Sequence, residues 1–199
     1  MIRAVLFDLD GVVRHFDHDP DLEARHGLEA GAIGRAAFRS PAIDDVTTGR
    51  ITRAEWLHRV AEQTGAAQAV DEWGRTKFTV DPDAVALALE LRTLGAITAI
   101  LTNGTDTIAA EVASCGLDHH FSPIFNSAEI GFAKPDPRAF RHVLDALGLR
   151  ADQVFFTDDS PSKVVGAAEL GLHTHVFTDV GALRAALRDS GVDVRTAAA

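Results

Sequence analysis

The first eleven residues constrain the fold more than any other stretch. Ala4 to Phe7 form a continuous apolar run with β-branched and aromatic members, and the run stops at Asp8-Leu9-Asp10-Gly11, as a buried parallel strand does before a turn. Two carboxylates therefore stand at the carboxyl end of a strand. In an open α/β sheet that edge is where ligands bind, above all where neighbouring strands send their connections to opposite sides. Gly11 lets the chain turn sharply and brings its backbone close to a ligand. Read alone, Asp8 and Asp10 are equally well explained as turn formers. A calcium loop is excluded: counted from Asp8, an EF-hand needs an oxygen ligand and then a glycine where Val12 and Val13 stand.

After Gly11 the pattern changes. Arg14 to Pro20 is polar and proline-terminated and reads as a linker, and from there to about Val80 the sequence shows helical periodicity without a convincing strand. Leu57, Val60, Ala61 and Thr64 share one helix face, with Thr52 as N-cap, Glu55 at the capping-box position and Gly65 as terminator. Further helices are expected over Leu28–Phe38, Asp21–His26 and Ala67–Thr76. This segment, 16–80, is expected to be a small helical cap inserted after the first strand and packed over the sheet edge. Residues 1–15 and 81–199 then form the core.

Beyond Val80, helix and strand alternate. Helices are expected from Pro82 to Gly95, over Ile108, Val112 and Cys115 up to Gly116, from Pro137 to Gly148, after Ser160-Pro161 up to Gly171, and around Leu183, Ala186 and Leu187. Strands are expected at Ile97–Leu101, Phe121–Phe125, Val154–Thr157 and His173–Phe177. The alternation implies an α/β fold: a doubly wound, Rossmann-like parallel sheet with right-handed crossovers.

Composition narrows the function classes. The 199 residues are 46% hydrophobic, enough for one core plus a modest insertion. A formal net charge of -10 argues against nucleic-acid and anionic-membrane partners, so a phosphate ligand must be held by local groups or a cation. The single cysteine, Cys115, excludes an internal disulfide and fits a reducing, cytoplasmic setting; its helical register marks it as a small core residue. The strand so close to Met1 leaves no room for a signal peptide, and no apolar run approaches membrane-spanning length. The Ala197-Ala198-Ala199 tail is expected to fray. Nothing in the sequence sets an oligomeric state.

The chemically capable residues fall at equivalent places in their units. Asp8 and Asp10 follow the first strand, Thr102 and Asn103 the second, and Asp158 and Asp159 the fourth. If the first and fourth strands are neighbours, Asp8 and Asp158 converge across a crevice. Clustered carboxylates raise one another's pKa, a cost that a hard divalent cation removes, and Mg2+ suits a few carboxylates, a backbone carbonyl and retained waters. Lys134 sits in Gly131-Phe132-Ala133-Lys134-Pro135-Asp136-Pro137, where two prolines keep it out of the following helix. An ammonium so placed can bind a phosphoryl oxygen and hold an aspartate ionised.

Asp8-Leu9-Asp10-Gly11, Leu101-Thr102-Asn103, Lys134-Pro135-Asp136-Pro137 and Phe156-Thr157-Asp158-Asp159, in that order, resemble the four motifs of the haloacid dehalogenase-like hydrolase superfamily, in the subclass with a small helical cap. The resemblance implies that Asp8 is a nucleophile forming an aspartyl phosphate and that Asp10 protonates the leaving oxygen and later activates water. It implies that Thr102, with backbone N–H groups near Leu9 and Asn103, binds the phosphoryl group and that Lys134 bridges nucleophile and phosphate. Mg2+ would be held by Asp8, the Asp10 carbonyl, Asp158 and Asp159. Lys163 departs from the pattern, since many members carry Asn four residues after the second acid of the last motif.

The expected activity is that of a Mg2+-dependent phosphatase acting on a small phosphorylated metabolite, a sugar phosphate being one candidate. A 2-haloacid dehalogenase or a phosphoglucomutase-like phosphotransferase of the same superfamily, and a non-enzymatic phosphate-accepting signalling module, are the alternatives. His119-His120 and His173-Thr174-His175 lack the partners of a zinc site. Trp56 and Trp73 read as cap packing rather than as an aromatic substrate box, and Arg14, His15 and His18 as either substrate contacts or solvated linker.

Overall fold

The computed structural model describes residues 1–195; the expected fraying of Ala197–Ala199 lies outside the described residues. β1 (Ala4–Phe7) leads into β2 (Arg14–Phe16), followed by α1 (Leu22–Arg25), α2 (Ala32–Ala37), α3 (Ala42–Thr47), α4 (Arg53–Thr64), α5 (Ala67–Gly74) and β3 (Phe78–Val80). The remainder alternates: α6 (Pro82–Thr93), β4 (Ile97–Thr102), α7 (Ile108–Ser114), β5 (Ile124–Asn126), α8 (Ser127–Ile130), α9 (Pro137–Leu147), β6 (Val154–Asp158), α10 (Pro161–Glu169), β7 (His173–Val176) and α11 (Val180–Asp189).

Five strands form one parallel sheet in the order β5-β4-β1-β6-β7. β1 is central, in register with β4 (Leu6 opposite Ala99) and with β6 (Leu6 opposite Phe156). The chain winds outward from β1 in both directions, so the carboxyl end of β1 is the switch point of the sheet. The pleat sends alternate residues of β1 to opposite faces. Val5 and Phe7 join Leu87, Leu91, Val112 and Leu187 on one face, whereas Ala4 and Leu6 join Phe140, Val143 and Ala167 on the other. That two-sided burial is why the strand reads as an unbroken apolar run.

The inserted segment carries its own apolar cluster, which includes Leu22, Ile33, Trp56, Val60 and Val70. α4 begins as expected: Thr52 Oγ1 accepts from Glu55 N, the Glu55 side chain accepts from Thr52 N, and Gly65 closes the helix at φ 65°. The expected helix over Leu28–Phe38 is shorter, because Gly27 (φ 70°) and Gly31 (φ 77°) both take left-handed conformations and delay its start to Ala32. α3 and α8, six and four residues long, lack a periodicity that a sequence can show.

The stretch expected to be a polar linker is instead half of an antiparallel ribbon. β2 pairs with β3, Arg14 opposite Val80 and Phe16 opposite Phe78. Three residues are too few for period-2 alternation to show, and the pairing spans most of the insertion. The segment also meets the core at two points. Arg53 N donates to Asp106 Oδ1 at 2.7 Å, and a Cβ on Gly49 would stand 2.1 Å from the Ala128 carbonyl oxygen. The strand expected at Phe121–Phe125 begins only after Pro123, while Phe121 is buried edge-on to Phe7 with ring centroids 5.3 Å apart.

Candidate active site

β1 and β6 deliver Asp8 and Asp158 side by side at the carboxyl edge of the sheet, with Asp8 N donating to Thr157 O at 2.9 Å. Lys134 Nζ lies 2.7 Å from Asp8 Oδ1 and 2.7 Å from Asp158 Oδ2. Three segments far apart in the chain therefore meet at one buried ammonium. Asp158 Oδ1 accepts from Ser160 N at 2.9 Å, which fixes the turn into α10. Ser160 is the N-cap of that helix, as expected, although it caps with its backbone and not with its hydroxyl.

Lys134 is held from behind by Asn103, whose Nδ2 donates to Lys134 O (2.8 Å) and whose Oδ1 accepts from Lys134 N (2.7 Å). This reciprocal amide clamp was not anticipated for Asn103, which the motif resemblance casts through its backbone. Lys163 Nζ adds a third contact, donating to Lys134 O at 3.2 Å. The lysine in place of the commoner Asn thus anchors the same loop. Thr102 ends β4 and is buried at the edge, opposite Asn126 of β5. The Leu9 N–H, expected on phosphate, donates here to Asp8 Oδ1 at 2.7 Å.

Carboxylate oxygens of Asp8, Asp158 and Asp159 lie within 4.8 Å of one another. Gly11 (φ 84°) makes room for them, because a Cβ there would come within 2.3 Å of Asp159 Oδ2. Burial pushes the Asp8 carboxyl up to about 7, with Lys134 pulling it down and Asp158 adding repulsion. Asp159 is also raised, by burial first and by Asp158 second. One ammonium against three carboxylates leaves the cluster short of positive charge, and an all-oxygen donor set of this kind fits a hard divalent cation.

Asp10 does not join that set through its side chain. Its carboxylate turns to Arg14, whose Nε donates to Asp10 Oδ1 at 2.5 Å and whose Nη1 donates to Glu111 Oε2 at 2.7 Å. Arg14 is 2% exposed, and its guanidinium lies 5.0 Å from the Phe16 ring centroid and 4.7 Å from that of Phe78. Burial opposes its charge, but Asp10 and Glu111 more than offset that cost. Arg14 is thus not solvated linker: it is ion-paired with Asp10, and it also lines the cavity beside Asp10. Sequence reasoning missed Glu111, which lies on α7 between Ile108 and Val112 but off their apolar face.

A cavity of about 500 Å3 adjoins Asp10 and Asn103 and extends under the inserted segment. Trp56 and Trp73 both line it while also packing in the segment's own core. The packing expected of them is present, and the cavity lies beyond it. His15, by contrast, pairs with Asp81 at the surface at 3.3 Å. His119 lies in a 3-10 turn and His173 and His175 on β7, with His175 Nδ1 3.1 Å from Thr157 Oγ1.

Known proteins resemble the chain in sequence and in fold. The chain is 37% identical over 168 residues to a phosphoserine phosphatase of Thermus thermophilus, covering 76% of this chain and 68% of the relative. It is 30% identical over 196 residues to phosphatase MT3486 of Mycobacterium tuberculosis, covering 92% and 90%. A solved HAD family enzyme of Bacteroides thetaiotaomicron, BT-2542 in complex with magnesium and inorganic phosphate, superposes with a TM-score of 0.73 at 23% identity, covering 92% of this chain and 99% of that one. Residues 2–171 match the family model described as haloacid dehalogenase-like hydrolase, and the chain belongs to that family of enzymes.

Proposed function

We propose that the protein is a Mg2+-dependent phosphatase that hydrolyses a small phosphorylated metabolite through an aspartyl phosphate on Asp8, in the cytoplasm. The carrying observation is the pair of 2.7 Å contacts from Lys134 Nζ to Asp8 and Asp158, with Asp159 alongside. The phosphatase relatives in Thermus and Mycobacterium, and magnesium and phosphate bound by BT-2542, support the reading.

A carboxylate is repelled by a phosphate dianion, and Lys134 reduces that repulsion at the nucleophilic oxygen itself. Asp8 attacks phosphorus in line with the leaving oxygen. Asp10, two residues on and held by Arg14, donates the proton to that oxygen and then takes one from the water that hydrolyses the acyl phosphate. Thr102 and the Leu9 and Asn103 N–H groups bind the transferring phosphoryl oxygens, the Leu9 N–H exchanging Asp8 Oδ1 for one of them. Asp8, the Asp10 carbonyl, Asp158 and Asp159 would hold Mg2+, which when bound neutralises charge on the phosphoryl group. Residues 16–80 act as the cap that keeps water and large esters out.

Phosphate release from a panel of phosphomonoesters, run with and without EDTA, tests the proposal. Release that depends on Mg2+ and vanishes in Asp8→Asn is the expected result. Turnover indifferent to EDTA would point to halide displacement. A long-lived phosphoprotein that frees no phosphate would point to a signalling module.

A further inference from the structure

The phosphatase reading leaves the alcohol half of the substrate undefined, and the cavity beside Asp10 supplies a definition. Its volume of about 500 Å3 suits a small molecule. Asp10, two residues from Asp8, and Asn103, which clamps the Lys134 backbone, both line this cavity, so a phosphoryl group at Asp8 would leave its alcohol in this space.

Much of the wall is aromatic, formed by Phe16, Phe38, Trp56, Trp73 and Phe78. Phe38, Trp56 and Trp73 are a connected set of rings, with centroids 6.4 Å apart for Phe38–Trp56, 6.2 Å for Phe38–Trp73 and 5.7 Å for Trp56–Trp73. Phe38 is 64% exposed, so much of its ring area remains available to a ligand.

Most polar groups of the wall are already engaged with the protein; His18, whose ring lies 5.8 Å from that of Phe16, is the exception. The hydroxyls of Thr47 and Thr76 donate to the Ile43 and Trp73 carbonyls, each at 2.7 Å, and that of Thr105 lies 2.9 Å from the Thr107 hydroxyl. Trp56 Nε1 donates to Ala37 O at 3.0 Å. Arg75 pairs with Asp71 at 3.0 Å, and Arg53 donates to the Gly74 carbonyl while its charge also acts on Glu111. Two guanidiniums, Arg14 and Arg53, therefore stand with two carboxylates, Asp10 and Glu111. A second anion on the substrate meets no surplus of positive charge, and a polyhydroxylated sugar meets few free partners, whereas a flat ring meets ring faces and edges.

We propose that the substrate is a phosphate monoester of a flat aromatic or arylalkyl alcohol, its ring packed against Phe38 and Trp73 while the phosphoryl group sits at Asp8. The inference rests on the phosphatase reading above and displaces a sugar phosphate as the expected substrate.

Benzyl phosphate and ethyl phosphate, which share an unactivated alkoxide leaving group, provide the test together with phosphoglycolate. With Mg2+ present, kcat/KM for benzyl phosphate is expected to exceed that for either of the others by about tenfold or more. Phe38→Ala and Trp73→Ala should each lower the benzyl-to-ethyl ratio by about fivefold. A second readout needs no turnover. Trp56 and Trp73 are the two tryptophans of the chain, so 4-nitrobenzyl phosphate added to the Asp8→Asn protein should quench tryptophan fluorescence saturably, and ethyl phosphate should not. Acetyl phosphate separates the two ways of failing. No phosphate release from it or from any panel member defeats the phosphatase reading. Release from acetyl phosphate without benzyl preference and without saturable quenching overturns the aromatic assignment alone. A preference for phosphoglycolate that Arg53→Gln removes overturns it as well, assigning the wall to a second anion.

Discussion

Two buried cations each stand between two carboxylates in this protein, yet they do opposite things. Lys134 holds Asp8 and Asp158 at 2.7 Å each, with Asp159 close by, so its cluster carries more negative charge than one ammonium can neutralise. Arg14 holds Asp10 and Glu111, is flanked by the Phe16 and Phe78 rings, and shares Glu111 with the charge of Arg53. The first cluster is a compact point charge among excess anions and calls for a further cation. The second is a planar fork whose Nε and Nη1 are paired with carboxylates and which two rings flank, balanced without any ligand. Charge balance, more than burial or distance, separates a binding centre from a fixture that orients one.

The sharpest separation is kinetic. Asp8→Asn should lower kcat for phosphate release by about 10⁴-fold or more, because removing a nucleophile leaves only binding and charge stabilisation. A residual rate within tenfold of the parent would place the nucleophile elsewhere. Next in size is Lys134→Met, which strands anions in a buried setting. A loss of about 3–5 kcal/mol in urea unfolding at pH 8 is expected without Mg2+, recovered in large part when Mg2+ is added. Arg14→Leu should cost somewhat less, about 2–4 kcal/mol, since Asp10 and Glu111 are partly solvated, and Mg2+ should recover none of it. Equal responses of the two variants to Mg2+ would mean that the two centres do not differ in their need for a cation.

The parent protein should show a gentler version of the same contrast. The Asp8 carboxyl is raised from 3.8 to about 7, so the folded state binds the extra proton between those values. Its contribution to stability is complete below pH 3.8 and is lost progressively as pH rises toward 7. Urea midpoints of metal-free protein should therefore carry a falling component across that window, flattened by Mg2+; a midpoint profile unchanged by Mg2+ would count against the cation. Smallest of all, Lys163→Ala removes one hydrogen bond to the Lys134 carbonyl and should cost about 1 kcal/mol in the same assay.

The Lys134 centre was legible in the sequence because each contributor sits in a local motif at a strand end or proline-fixed loop, and the topology of the sheet does the gathering. Asp8 follows a short β-branched and aromatic apolar run that fits a two-sided strand, and Asp158 follows another. The Arg14 centre was not legible. Glu111 lies 97 residues from Arg14, and the ribbon that places Arg14 between Phe16 and Phe78 is three residues deep. Trp56 and Trp73 lie in stretches that read as helices, which suggests that a large side chain is covered but not whether a cavity lies beyond it. The motif around Asn103 points to its backbone, whereas its side chain clamps Lys134. Sequence patterns mark where chemistry attaches to secondary structure, and they fall silent where two long-separated segments share a charge.

The pairing of Phe16 with Phe78 has an evolutionary consequence. Because the inserted segment departs and returns through paired backbone, a change in its length need not separate the ends it leaves and rejoins. The ribbon works as a socket. Recombination at that point would hand the same carboxylates a new set of walls, so the descent of the hydrolytic machinery and the descent of its preferences need not follow one tree.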